Sequence, residues 1–313
     1  MTAADFVAGD WGTSHLRLFL CDAQGTVRDW ANGPGVAGSN GRCAQIFDSL
    51  VSKWLVNSHE LPAVLCGMVG SNIGWTQAPY VACPATPEEI ATRCVSVRDG
   101  LIRIVPGLSC RNRFDAPDFM RGEETQILGA LALEPALRQG RKLLCLPGTH
   151  TKWVVLEEGV VTEFLTAPTG ELFNLLSDHS VLVRERSSVA DHGAAFQRGL
   201  AQVERFPQAQ LLHRLFECRG RSLDGELESQ DVAAFLSGLL IATDIAGALD
   251  ALAGATVVRA VHLIGSPELT KLYAKGLGLR HYETHATDGS DAAVAGLAQI
   301  RRQLTRGSVT NAT

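Results

Sequence analysis

A short strand, a glycine-centred turn and a returning strand occur near the start of this 313-residue chain and again near its middle. In the first copy Phe6-Val7-Ala8-Gly9 enters the turn Asp10-Trp11-Gly12-Thr13-Ser14 and alternation resumes from Leu16 to Leu20. A second turn, Asp22-Ala23-Gln24-Gly25, leads to a third strand from Thr26 to Trp30. In the second copy Leu143-Leu144-Cys145-Leu146 enters Pro147-Gly148-Thr149-His150-Thr151-Lys152 and leaves through Trp153-Val154-Val155-Leu156. It then turns at Glu157-Glu158-Gly159 and continues in Val160-Val161-Thr162. One Gly-Thr turn is common and mostly structural. Two of them in matching places, each opening half of the chain, predict a duplicated β-meander-plus-α/β unit. The expected fold is therefore α/β with two lobes, residues 1–136 and 137–313, the last helix packing back on the first lobe. The break falls between Pro135 and Lys142, where an alanine-rich helix from Gln126 to Leu133 meets Pro135 and then Gly140.

The remaining elements fit that plan. Ile46, Phe47, Leu50, Val51 and Trp54 give Cys43–Leu55 helical spacing, and Ala63-Val64-Leu65-Cys66 is a short apolar run ending in a glycine-rich loop, as a buried parallel strand would. A helix from Asp231 to Leu252 is apolar around most of its circumference and is expected between layers. Ala260 to Ile264 reads as a strand, Pro267 opens a helix to about Lys275, and a last helix, Asp291 to Leu304, takes Ser290 as its N-cap.

Composition removes several classes of function. Apolar residues at 46% and charged residues at 19% are a globular balance, and a net charge of −5 without any basic block argues against nucleic acid as partner. The eight cysteines form no C-x-x-C pair, so neither a zinc site nor a disulfide framework is expected. Met1 to Asp10 lacks the charged and apolar regions of a leader, and the longest apolar run, Val232 to Thr243, is shorter than the roughly 20 residues of a membrane span. The expectation is a soluble cytoplasmic protein with no membrane partner. The oligomeric state stays open, a homodimer included.

Gly33-Pro34-Gly35-Val36-Ala37-Gly38 matches G-x-G-x-x-G on paper, but a dinucleotide fingerprint leaves a strand and opens a helix directly. With a proline inside it and Ser39-Asn40-Gly41 after it, the segment reads as a mobile glycine loop that can border a substrate. No G-x-x-x-x-G-K-[ST] is present. Asp10-Trp11-Gly12-Thr13-Ser14 with Arg17 offers a different phosphate device. Gly12 lets the hairpin backbone approach an anion, Thr13 and Ser14 donate to phosphate oxygens, and Asp10 holds a hydrated Mg²⁺. The alternative is an ordinary turn with surface hydroxyls. The second turn, Gly148-Thr149 with Lys152 nearby, favours function, because two glycine hairpins facing each other across a cleft would clamp a triphosphate.

These hairpins, with the strand–Gly265-Ser266–helix near the end, look like the phosphate-1, phosphate-2 and adenosine motifs of the actin, heat-shock chaperone and sugar-kinase superfamily. More narrowly, the chain resembles the 2-dehydro-3-deoxygalactonokinase family over nearly its whole length. The segments carrying the likeness are DWGTSHLR at 10–17, CGMVGSNIGW at 66–75, APY at 78–80, PGL at 106–108, MRGEETQILGA at 120–130, PGTHTKWV at 147–154, TGEL at 169–172 and FLSGLLIA at 235–242. The resemblance implies two ribonuclease-H-like lobes with nucleotide in the cleft between them. It also implies ATP- and Mg²⁺-dependent phosphorylation of the terminal hydroxyl of 2-dehydro-3-deoxygalactonate.

Such chemistry needs a carboxylate to take the hydroxyl proton. The Gly-acidic step in Arg121-Gly122-Glu123-Glu124 resembles the Gly-Asp-Gln segment of related kinases and aligns Glu123 with the base, with Glu124 close behind. The alternative is an acidic first turn on a helix beginning near Thr125. An acidic substrate needs donors, which the loop Gly67–Asn72 offers through Gly70, Ser71 and Asn72, and Arg121 adds a bidentate clamp. Trp75 and Tyr80 are pocket walls or core aromatics. Glu171 touches sugar hydroxyls, marks a hinge or caps a helix. Lys152 meets a phosphate or is solvated. Gly265-Ser266 admits adenine or ribose, or simply starts a helix. A kinase of another sugar, or a catalytically silent ATP-binding regulator on the same scaffold, is the competing reading.

Overall fold

The computed structural model describes residues 6–310 apart from 56–59, 186, 192 and 253–257, with side chains described as far as residue 305. Met1–Asp5, part of the segment read above as lacking a leader, lie outside the described residues. The chain divides into two compact units, one of Met1–Gly140, Leu156–Glu163 and Gly289–Thr313, the other of Arg141–Val155 and Phe164–Asp288. Both units are discontinuous in the chain, whereas the sequence reading set one boundary at residue 136 and packed the last helix on the first lobe.

The first unit contains strands β1 (Phe6–Trp11), β2 (His15–Cys21), β3 (Val27–Pro34), β4 (Ala63–Gly67), β5 (Tyr80–Ala82), β6 (Val95–Val97), β7 (Ile102–Ile104), β8 (Gly107–Arg111) and β9 (Pro117–Met120). Its helices are α1 (Val36–Ser39), α2 (Cys43–Val51), α3 (Pro87–Thr92) and α4 (Glu123–Leu133). The main sheet runs β3-β2-β1-β4-β7-β6, and β5-β8-β9 form a small second sheet that the sequence reading missed. β1 pairs antiparallel with β2 and parallel with β4. β1 is apolar and buried along almost its whole length, as a strand covered on both faces must be. β3 runs four residues beyond the expected Trp30, and α2 ends at Val51, where a 3₁₀ turn over Ser52–Trp54 takes over.

The remaining strands repeat the plan. β10 (Arg141–Leu146), β11 (Thr151–Glu157), β12 (Val160–Ala167), β13 (Ala260–Gly265) and β14 (Glu283–Asp288) form a sheet in the order β12-β11-β10-β13-β14, the counterpart of β3-β2-β1-β4-β7. β10 and β13, and β13 and β14, are parallel. Glu158 and Gly159 both have positive φ, which is the two-residue turn that suits the twist of a hairpin. Helices α5 (Thr169–His179), α6 (Ala194–Arg205), α7 (Leu211–Leu223), α8 (Val232–Leu252) and α9 (Pro267–Leu279) follow, and α10 (Gly289–Thr310) belongs to the first unit.

Glycine pairs set the closest helix crossings. A Cβ on Gly129 of α4 would lie 1.7 Å from the Ala292 carbonyl oxygen of α10, and one on Gly296 would lie 2.0 Å from that of Thr125. In the second unit Gly199 of α6 and Gly238 of α8 meet in the same way, each Cβ falling 2.3 Å from a carbonyl oxygen of the other helix. α8 is the core of its unit, with Phe235, Leu236, Leu239 and Ile245 sealed from solvent. Taken with its preceding turn, Ser229–Leu252 is long and apolar enough to cross a membrane, which the shorter run counted above did not suggest. Yet 78% of its most apolar window is buried inside the protein. α9 runs four residues beyond Lys275. α10 begins at Gly289, so Ser290 lies inside the helix and is not its N-cap.

Candidate active site

In the first unit three chain segments converge at two glycines. Gly67 ends β4 beside Trp11, its register partner, with φ of +89°, and a Cβ there would lie 2.7 Å from the Trp11 carbonyl oxygen. Gly122, at φ +110°, precedes α4, and a Cβ on it would touch Gly67 Cα at 3.4 Å. Only glycine takes both conformations without strain. The crossing brings the β1–β2 turn, the Gly67–Asn72 loop and Arg121–Glu124 together.

Asp10 and Arg17 are register partners across the hairpin, and Arg17 Nη2 donates to Asp10 Oδ2 at 2.5 Å. Arg17 also donates to Ser290 Oγ at 3.4 Å. Asp10 Oδ1 lies 4.0 Å from the Cys66 thiol. Thr13 and Ser14 are exposed at the tip and Gly12 is half-buried. The glycine loop after β3 is not a mobile segment. Gly35, Val36 and Ala37 N–H groups donate to the Ser14, Gly12 and Thr13 carbonyls, and a Cβ on Gly35 would lie 2.2 Å from the Thr13 oxygen. The segment is a buttress under the turn.

Glu123 and Glu124 open α4, two residues before the expected start at Thr125, because Gly122 turns the chain early. Glu124 is wholly buried, its carboxyl accepting from the Gly122 N–H at 2.6 Å and the Thr125 hydroxyl at 2.9 Å. Burial, reinforced by the Glu123 charge, pushes it up to about 8. Glu123 is half-buried and accepts from the Arg121 N–H at 3.0 Å. Arg121 donates from Nη2 to the Ala78 carbonyl at 2.8 Å and stacks its guanidinium 4.3 Å over the Tyr80 ring. Its Nε and Nη1 are buried without a hydrogen-bond partner. A Cβ on Gly70 would lie 2.9 Å from Nη1. Ser71 donates its hydroxyl to the Met68 carbonyl, and Asn72 is exposed. Trp75 packs on Phe47 at 5.6 Å beneath Arg98, against the core, whereas Tyr80 is 43% exposed and edges onto Phe119.

In the second unit Gly148 is half-buried and Thr149 exposed. A Cβ on Gly170 would lie 2.5 Å from the Gly148 oxygen, so the start of α5 is tucked against this turn, and the Glu171 N–H donates to Thr149. Glu171 does not cap α5. Its carboxylate sits 2.7 Å from His150 Nε2, both groups about half exposed. Lys152 is not a solvated lysine. It is 5% exposed within β11 and donates to Thr166 Oγ1 at 2.8 Å. Gly265 ends β13, and Ser266 caps α9 by accepting from the Leu269 N–H at 3.4 Å.

A cavity of about 340 Å³ opens beside this turn, lined by Gly148, Thr169, Ser237, Leu240, Leu269 and Tyr273 among others, a size suited to a small ligand. Behind it lies a polar cluster that sequence reasoning missed. Asp244 Oδ1 accepts from Trp153 Nε1 at 2.9 Å, and Oδ2 accepts from Thr169 Oγ1 at 2.8 Å and from the Tyr273 hydroxyl at 2.5 Å. Tyr273 also meets Thr151 Oγ1 at 2.9 Å. Desolvation pushes the Asp244 carboxyl up from its ordinary value while these donors pull it down. The available signal was a lone charge inside the otherwise apolar stretch Val232–Leu249. Among the described residues no group of three or more His, Cys, Asp or Glu side chains is placed to hold a metal ion.

A relative from Rhizobium meliloti bearing the name 2-dehydro-3-deoxygalactonokinase is 39% identical, covering 97% of this chain and 98% of its own. The 2-dehydro-3-deoxygalactonokinase of Escherichia coli is 35% identical, covering 95% and 97%. A crystal structure from Sinorhizobium meliloti carrying the same name superposes with a TM-score of 0.86 at 37% identity, covering 96% of this chain and 99% of that one. Component A of (R)-2-hydroxyglutaryl-CoA dehydratase from Acidaminococcus fermentans, 10% identical with a TM-score of 0.51, shares the fold alone. The profile of the 2-keto-3-deoxy-galactonokinase family matches residues 10–300, so the chain belongs to that family.

Proposed function

We propose that this protein transfers the γ-phosphoryl group of ATP to the terminal hydroxyl of 2-dehydro-3-deoxy-D-galactonate, giving the 6-phosphate and ADP. The observation that carries the reading is the reach of the family match, residues 10–300, which takes in both glycine turns, Arg121–Glu124 and the Gly265-Ser266 corner. As a member of a kinase family it uses ATP and a small sugar-acid substrate. A cytoplasmic location goes with this reading.

Phosphoryl transfer asks a protein mainly for position and charge compensation. In the first unit Thr13 and Ser14 present backbone and hydroxyl donors to phosphate oxygens beside Gly12, whose own N–H donates to the His15 carbonyl, and Arg17 adds a cation held in register by Asp10. Mg²⁺ keeps most of its waters and needs only one or two protein carboxylates. Asp10, whose Oδ1 faces the Cys66 thiol at 4.0 Å while Oδ2 holds Arg17, suits that role. When bound, the ion supplies charge compensation at the phosphates.

Of the two adjacent carboxylates, Glu123 suits the base. It is half-buried, whereas Glu124 is sealed inside and favours its proton. Arg121 suits the substrate carboxylate, since two of its buried donors lack partners and the Tyr80 ring holds the guanidinium flat. Gly70, Ser71 and Asn72 border it, and Trp75 serves as a supporting wall. In the second unit the cavity beside Gly148 suits the nucleoside, with Gly265 and Ser266 at the start of α9 and Thr149 at the turn. Lys152 and Glu171 act locally, Lys152 through Thr166 and Glu171 through His150.

The test is ADP release with Mg-ATP and either 2-dehydro-3-deoxygalactonate, its gluconate epimer, glycerol or no acceptor. Selective turnover of the galactonate is expected, with Glu123→Gln lowering kcat by roughly 10²–10⁴ while ATP still binds. ADP release that ignores the acceptor overturns the substrate assignment, and no ADP release while ATP still binds brings forward the silent regulator.

A further inference from the structure

The second unit contains a carboxylate, Asp244, that the reaction scheme does not use and that is hydrogen-bonded to two residues lining the cavity. Asp244 lies on α8 and takes a hydrogen bond from each of three other elements: Trp153 on β11, Thr169 at the start of α5 and Tyr273 on α9. The indole N–H can only donate. With Asp244 ionised, every group in the cluster is satisfied when Thr151 donates to Tyr273 and Tyr273 donates to Asp244. Thr169 and Tyr273 also line the cavity, together with Gly148 and Gly170, whose backbones touch. The carboxylate therefore fixes the spacing of the Gly148 turn, the first turn of α5 and the inner face of α9.

We propose that Asp244 is a positioning residue for ATP, holding these three elements as one frame around the cavity without touching the nucleotide itself. This rests on the reading of the cavity as the nucleoside site. A residue that merely stabilised the unit would alter melting temperature and the active fraction. A positioning residue alters the affinity for one substrate and spares the other.

The experiment compares steady-state kinetics and equilibrium binding of a non-hydrolysable ATP analogue in the full-length wild type and in Asp244→Asn, Thr169→Val and Leu269→Trp. Asn replaces an acceptor-only group with an amide that sets a donor against one of the three donors. Val removes one hydroxyl with little change of shape and keeps the test available should the Asn variant fail to fold. The Leu269→Trp change fills the cavity directly. Asp244→Asn and Thr169→Val are expected to raise the KM for ATP, and to weaken analogue binding, by roughly tenfold or more. The KM for the sugar acid is expected to stay within about twofold. If Leu269→Trp weakens ATP binding but the other two do not, or if they raise both KM values together, the positioning role is overturned and the cavity reading stands. If Leu269→Trp leaves ATP binding unchanged, the cavity is not the nucleoside site and both readings fall.

Discussion

Two adjacent glutamates, alike in sequence, end in opposite environments. Gly122 begins α4 early, so Glu123 keeps contact with solvent and Glu124 turns into the core. Their pairing was legible as an acidic step after glycine. Their division of labour was not, because it depends on a positive φ and on the Gly67 crossing, both of which are tertiary facts. The consequence can be measured. Glu124 titrates at about 8 in the folded protein against 4.5 ordinarily, so the folded state holds a proton that the unfolded state releases. The contribution of Glu124 to stability is greatest below the unfolded value and falls as pH rises towards 8. Glu124→Gln is expected to flatten that slope, visible as a melting temperature that changes less than wild type between pH 5 and 8. A variant with the wild-type slope would assign the titration elsewhere. Lys152 and Asp244 teach the same lesson. A lysine beside a phosphate turn reads as a ligand or a solvated group, yet strand alternation points it inwards to Thr166.

Elements were the easier scale to read. The meanders, the buried strand at Ala63, the long central helix and the proline start at Pro267 all carry strong local signals. Short edge elements such as β5 and β9 carry almost none, since three or four residues make no period. The glycines within helices were legible only as composition. Their meaning comes from what stands opposite them. Gly129→Ala would drive a methyl into the α10 backbone and is expected to cost at least about 1–3 kcal/mol, read by chemical denaturation. Gly247→Ala, on an exposed face of α8 with open space around the position, should instead stabilise by about 0.5–1 kcal/mol. Equal effects at the two sites would sink the close-packing explanation.

At the scale of the whole molecule, the duplicated plan was legible because both meanders keep the same turn, while the passage of Leu156–Glu163 to the first unit was not. Each unit has its own apolar core, one around Trp11 and Leu65, the other around Trp153 and Phe235. Calorimetry is expected to resolve two transitions. An ATP analogue at about 100 times its Kd should raise the stability of the second unit by about 2.7 kcal/mol, and Asp244→Asn should lower the same transition. A single transition unmoved by analogue would contradict both expectations. The α4–α10 crossing also has a bearing on synthesis. The Gly129 face of α4 leaves the ribosome roughly 150 residues before α10 exists to cover it, an interval on the order of 10–30 s at elongation rates of about 5–20 residues per second. Through that interval the first unit waits with a backbone-lined groove open, while the strands and helices of the second are already being made. The amino-terminal half is first to emerge and last to be closed.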